Sequence, residues 1–137
     1  MKLVHNAMLM NYVDAAMIPP ESGQPAVIDF TVELFRFLKY ACGNRLARMR
    51  LELPLLICGK SKHVKINVCI FDCSQRQFLL LVHEEKMLVH GETSRAQAQL
   101  VMEAVAAFNE NNVQREADGH PPLAEKVGHF VSFLTLF

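Results

Sequence analysis

The 137-residue sequence carries no net charge, its 14 Lys and Arg balancing its 14 Asp and Glu. No global field therefore draws in a polyanion or a membrane surface, and any nucleic-acid binding has to come from a local patch. Paired CxxC spacing is also missing. The four cysteines are Cys42, Cys58, Cys69 and Cys73. No histidine cluster stands at zinc-finger spacing from Cys69 and Cys73, and three of the four lie in or beside apolar runs, where reduced thiols are expected to pack as small hydrophobes. No run reaches transmembrane length, and the stretch from Met1 to Met17 mixes His5, Asn6, Asn11 and Asp14 into its apolar residues, unlike a secretory signal. No membrane association and a reducing cytoplasmic or nuclear setting are the resulting expectations. Internal repeats and low-complexity tracts are absent. Ser94 and Cys73 have no nucleophile motif around them, and His63, His83 and His90 have no histidine four residues away on a helix, so none is assigned chemistry.

What is present is apolar: 51% of residues, against 20% charged. A chain of this composition and length buries a core as one globular α/β domain. Residues 1–25 read as an N-terminal arm, because their apolar residues keep no period and Pro19, Pro20, Gly23 and Pro25 interrupt them. The domain proper is expected over 26–137. From Ala26 to Ala41, Ile28, Val32, Phe35, Leu38 and Ala41 recur at helical steps, and Cys42-Gly43-Asn44 ends the helix. Arg45, Arg48 and Arg50 then lead into an edge strand, Leu53 to Cys58, marked by Pro54 and closed by Gly59-Lys60. Val64–Phe71 and Gln77–Lys86 form a hairpin across the polar connection from Asp72 to Arg76. Ser94 to about Glu116 is an amphipathic helix with Leu100, Val101, Ala104, Val105 and Phe108 on one side and Glu103, Asn109, Glu110 and Arg115 largely elsewhere. Gly119-His120-Pro121-Pro122 stops it, and Val127 to Phe137 reads as a last strand.

Chemistry concentrates between Asn67 and Lys86. Side chains alternate along a strand, so Glu84 and Lys86 share one face where Leu80-Leu81-Val82-His83-Glu84-Glu85-Lys86 emerges from its apolar section. This E-x-K at a strand end, after a hairpin partner with a polar residue ahead of an apolar run, resembles the active-site strand pair of the PD-(D/E)XK nuclease-like superfamily. The stretch from about Leu53 to Leu123 is similar to a group of fungal proteins with that expected fold. The likeness rests on Leu55-Leu56-Ile57-Cys58-Gly59, Asn67-Val68-Cys69-Ile70, Leu79 to Lys86 and Ala104 to Asn112. It implies a restriction-endonuclease-like mixed sheet flanked by helices, C-terminally incomplete because the chain stops after Ser132 to Phe137. An exposed apolar edge of that kind favours a homodimer.

The resemblance further implies a hydrolase with a divalent metal, Mg2+ or Mn2+, held between an aspartate on the first hairpin strand and an acid on the second. A lysine assists attack on a phosphodiester of a nucleic acid. Glu84 and Lys86 match the acid and the lysine. The aspartate position is Asn67, whose amide offers one neutral oxygen, so metal affinity is expected to fall. Glu33 on the first helix is the candidate further ligand, and Gln99 falls near the site. Two functional classes stand open: a degenerate or weakly active metal-dependent nuclease acting through Glu84, Lys86 and Asn67, and a non-catalytic, self-associating interaction module on the same scaffold. Glu84 and Lys86 also read as a solvated ion pair. Arg45, Arg48, Arg50, Lys60, Lys62 and Lys65 read either as a phosphate-facing surface or as charges that solvate an edge.

Overall fold

The structure, a computed structural model, describes the backbone of residues 2–16, 20–86, 93–125 and 129–135, and the side chains of 7–15, 26–82, 95 and 97–125. Helices α1 (Lys2–Ala16) and α2 (Pro20–Phe37) precede three antiparallel strands, β1 (Arg45–Ile57), β2 (Lys60–Asp72) and β3 (Gln77–Lys86). Helix α3 (Thr93–Ala117) then carries the chain back, so that β4 (His129–Thr135) runs parallel to β3 in a sheet of order β1-β2-β3-β4. Parallel neighbours need a crossover, and α3 supplies it. The mixed α/β class and the hairpin from β2 to β3 agree with the sequence.

The N-terminal region differs. Residues expected to form an irregular arm are helical, and α2 begins at Pro20 rather than Ala26. Proline is accepted at a first helical position because the first N–H groups of a helix have no intrahelical acceptor. Pro25 forgoes one further bond without ending the helix. The far end also comes early. Lys39 adopts a left-handed φ of 60°, the Tyr40 N–H donates to the Phe35 carbonyl at 2.9 Å, and the two rings meet edge-on at 6.1 Å. This is a Schellman stop with lysine where glycine is usual, and it leaves Leu38 exposed outside the helix.

Two helices cover opposite faces of the sheet. Ile28, Val32 and Phe35 of α2 pack with Val68, Ile70 and Val82, whereas Ala106 and Ala107 of α3 pack with Leu53, Leu55, Val64, Ile66, Cys69, Phe78 and Leu81. On β2, Ile66 belongs to the α3 side and Val68 to the α2 side, although strict alternation would put both on one side. On β1, Leu51 packs on the α3 side and Ala47 on the α2 side in the same way. The step is lost at one rung. Met49 pairs with Val68 and Leu51 with Ile66, and between them stand Arg50, at a left-handed φ of 54°, and Asn67. The hairpin bends there, so its outer half lies over α3 while its inner half is shared with β3 and α2.

A second irregularity lies in β3. Ile70 pairs with Leu80 but Phe71 with Phe78, so Leu79 is an extra residue and both Leu79 and Leu80 reach the α2 side. Turn chemistry matches the strands. Cys58 and Gly59 both have positive φ, 48° and 75°, as a two-residue type I′ turn demands. Between β2 and β3, Asp72 Oδ1 accepts the Ser74 hydroxyl at 2.6 Å, the Ser74 N–H at 2.8 Å and the Gln75 N–H at 3.1 Å.

Helix α3 contradicts the face read from its sequence. Val101 and Val105 are exposed, at 61% and 44%, while Glu103, Ala106, Ala107 and Asn111 are buried. The buried Asn111 explains part of the choice: its Oδ1 accepts the Phe78 N–H at 2.7 Å and its Nδ2 donates to the Phe78 carbonyl at 3.1 Å. Among the described residues, β4 pairs with β3 from Leu80 onward, and at Phe78 this amide acts as a neighbouring strand would. Asn112 repeats the device one residue on, accepting from the Leu123 N–H at 2.8 Å and donating to its carbonyl at 3.0 Å.

Two measurements check these interactions. Asn111→Ala removes both of its hydrogen bonds to the Phe78 backbone and should cost about 2–3 kcal/mol in urea unfolding at unchanged slope, against less than about 0.5 kcal/mol for the exposed Asn109→Ala. The Ser74 hydroxyl, the Gln75 and Ser74 N–H groups and the nearby Arg45 together hold the Asp72 carboxyl below the ordinary 3.8. A depressed folded-state pKa gives stability that is present above the unfolded value and lost as pH falls through the folded one. Acid titration of Asp72→Asn should therefore show a smaller loss of stability below about pH 4 than the unaltered protein.

Candidate functional site

The candidate residues Asn67, Glu84 and Lys86 come from two adjacent strands at the point where those strands part. Pairing of β2 with β3 runs from Asp72–Gln77 to Val68–Val82. Asn67 is the next residue of β2, at the bend. Past Val82, the described pairing of β3 is with β4 alone, which already flanks its other edge from Leu80, and Glu84 stands opposite Phe133 and Lys86 opposite Thr135. A fork results, with Asn67 on one prong and Glu84 and Lys86 two and four residues along the other. Sheet topology thus sets all three backbone positions beyond the last shared rung, Asn67 by one residue, Glu84 by two and Lys86 by four. The side chains of Glu84, Lys86, His83, His90 and Ser94 lie outside the described residues.

Asn67 is half-buried, between Ile66 at 0% exposure and Val68 at 1%. Glu33 sits on α2, one residue from Val32 of the core, and its carboxylate is bound by the guanidinium of Arg36 one turn later. Arg36 thus competes for the charge that a metal would use. Gln99 is exposed on α3 and donates to Glu103 Oε1 at 3.3 Å. Among the described residues, no three His, Cys, Asp or Glu side chains converge on a point fit for a metal ion. The donors themselves fit a tightly held Mg2+ or Mn2+ poorly. Asn67 brings a neutral oxygen, Glu33 is neutralised by Arg36, and Lys86 adds positive charge, where a hard cation needs several anionic oxygens.

Sequence reasoning missed Glu103, a carboxyl only 1% exposed on the face of α3 that meets the sheet. The signal was the small pair Ala106-Ala107, which marks where a helix can approach closely; Glu103 and Asn111 flank it at helical spacing. Packing as a small hydrophobe, expected of three of the four cysteines, holds for Cys69. Cys69 alone is buried, while Cys42, Cys58 and Cys73 are exposed free thiols, because each of the three falls in a turn or loop instead of inside its apolar run.

A concavity of about 310 Å3 lies at the opposite end of β3, lined by Ser74, Gln75, Gln77, Arg115, Asp118 and His120. Its charges already serve the fold. Arg76 binds Asp118 at 3.2 Å across the rim, and the Arg115 Nε donates to the Pro121 carbonyl at 3.0 Å. Size therefore does not single it out over the fork.

Set against protein-family models, curated proteins and solved structures, the chain has no match. Among the described residues, no helix is long and apolar enough to cross a membrane.

Burial pushes the Cys69 thiol up to about 12, with Arg48 offsetting only part of the effect. The thiolate is the reactive form, so iodoacetamide at pH 8 should label Cys42, Cys58 and Cys73 in the native protein and reach Cys69 only after unfolding. Peptide mapping by mass spectrometry reads the outcome.

Proposed function

We propose that the chain is a nuclease-like protein directed at phosphodiesters, with a degenerate metal site at the fork between β2 and β3. The observation that carries the reading is the fork. An amide from one strand and an E-x-K triplet from its neighbour lie where the two ladders separate, beyond the last shared rung at Val68–Val82. Further support comes from the mixed sheet with a helix on each face, the kind of scaffold the sequence resemblance implies.

The chain's own groups define what such a site does. Lys86 supplies a cation for a phosphoryl oxygen, Glu84 an acceptor beside it, and Asn67 a neutral oxygen and two N–H donors in place of a metal-bridging carboxylate. When a divalent ion is held in such a site it offsets charge on the phosphoryl group and activates water. Asn67 and the Glu33–Arg36 pair weaken that hold, and they favour a second reading, a binding module that keeps the scaffold without turnover.

Calorimetric titration with Mn2+ and cleavage assays with single- and double-stranded DNA and RNA test the proposal together. Asn67→Asp should bind Mn2+ at least about tenfold more tightly than the unaltered protein, since each added carboxylate raises affinity for a hard cation. Any cleavage gained should disappear in Lys86→Ala. Equal, negligible Mn2+ binding by both proteins would refute descent from a metal site.

A further inference from the structure

Charge in this neutral chain is segregated. Between Arg45 and Lys65 stand six cations, Arg45, Arg48, Arg50, Lys60, Lys62 and Lys65, against one carboxylate, Glu52, a formal +5. The other 116 residues carry eight cations against thirteen carboxylates, a formal −5. The cationic segment makes up most of the β1–β2 hairpin, whose one further charge is Asp72 opposite Arg45, and all six cationic side chains are exposed. Only Lys65 forms a described salt bridge, to Glu52 across the rung at 3.7 Å, and Arg48 lies over the Phe71 ring at 5.5 Å.

From these observations we infer that the β1–β2 ribbon is a docking surface for double-stranded DNA, gripping it through its phosphates. Three features select this occupant. First, the cations run along the ribbon from its first rung, Arg45–Asp72, to its last, Ile57–Lys60, so the charge forms a track and not a point. A duplex presents a line of anions that such a track neutralises, releasing counterions. Second, the segment from 45 to 65 contains no Phe, Tyr or Trp, and the ribbon's Phe71 is half-buried against Phe78 with Arg48 over its ring, so unpaired bases meet no open platform on which to stack. Third, the cations of the outer half stand on both of its faces, Lys60 and Lys62 toward the tip on the side of Leu55 and Val64, and Lys65 with Glu52 on the other, so the ribbon offers charge to phosphates on either side of it. Backbone gripping without base reading follows from that arrangement.

Arg50 adds a point of its own. It holds a left-handed φ of 54° at the bend, a conformation that costs most L-residues about 1–2 kcal/mol and that glycine or asparagine would adopt more cheaply. An exposed arginine kept there places a cation at the fork's own rung, opposite Asn67. A duplex lying along the ribbon would pass that rung. The surface stands on charge and exposure alone and does not depend on the fork being a cleavage site.

Fluorescence anisotropy of a labelled 24-base-pair duplex, recorded in EDTA from 50 to 300 mM NaCl, tests the inference. The full-length protein should bind with a log K against log salt slope of about −5, from roughly 0.9 per cation engaged. Lys60→Ala/Lys62→Ala/Lys65→Ala, shown folded by circular dichroism, should lose about tenfold or more in affinity at 100 mM NaCl and flatten the slope by about 3. Arg95→Ala, an exposed cation elsewhere, should leave both unchanged, and binding that persists in EDTA, with no divalent ion to serve the fork, separates this surface from the proposed site. The same strand left single should bind more weakly, and a duplex RNA arm reports whether DNA is preferred. No duplex binding at 50 mM NaCl, an unaltered slope in the triple variant, or tighter binding to phosphatidylserine vesicles through the exposed Leu56 and Ile57 would each overturn it.

Discussion

The architecture turns on one rung of one hairpin. Because Arg50 takes a left-handed conformation opposite Asn67, both strands skip a step of alternation without changing register. That lets a single pair of 13-residue strands offer apolar side chains to α2 through Val68, Ile70 and Ala47, and to α3 through Leu53, Leu55, Val64 and Ile66. Were alternation kept, Leu51, Leu53 and Leu55 would fall on the face of Ala47 and lose α3 as a partner. The same rung ends the pairing of β2 with β3 and opens the fork that holds the candidate site. Fold and site therefore share a cause.

Much of this could be read in advance, and the failures have physical reasons. The hairpin between β2 and β3 was legible because β-branched and aromatic residues flank a turn whose first residue, Asp72, bonds its own loop. Pro54 marked an edge strand correctly, and Gly119, with a φ of 78°, marked the end of α3. The face of α3 was misread because hydrophobicity pointed to Val101 and Val105, whereas Glu103 and Ala107 face inward. Two positions along a helix are about 200° of rotation, close to the opposite side. Asn111 belongs inside because its amide makes two hydrogen bonds to the Phe78 backbone, and no hydropathy scale carries that information. The helical N-terminus escaped notice because, among the described residues, α1 packs against α2 and not the sheet, and its apolar residues need not keep one narrow stripe. Of the candidate site, the sequence showed the residue types and the strand end. It could not show the bend at Asn67, since nothing about an arginine announces a positive φ.

The parallel pairing of β3 with β4 has a consequence for how the chain is made. Lys86 and its neighbour Thr135 are 49 residues apart in sequence, with the whole of α3 between them. On a ribosome adding about 5–20 residues per second, β3 is complete for roughly 2–10 s before its last strand exists. During that interval Leu79-Leu80-Leu81-Val82 forms the rim of an unfinished sheet, with its hydrogen-bonding groups unclaimed on one side. Synthesis itself thus leaves a short period in which a nascent chain can capture a foreign strand, and that exposure is set by the length of the crossover.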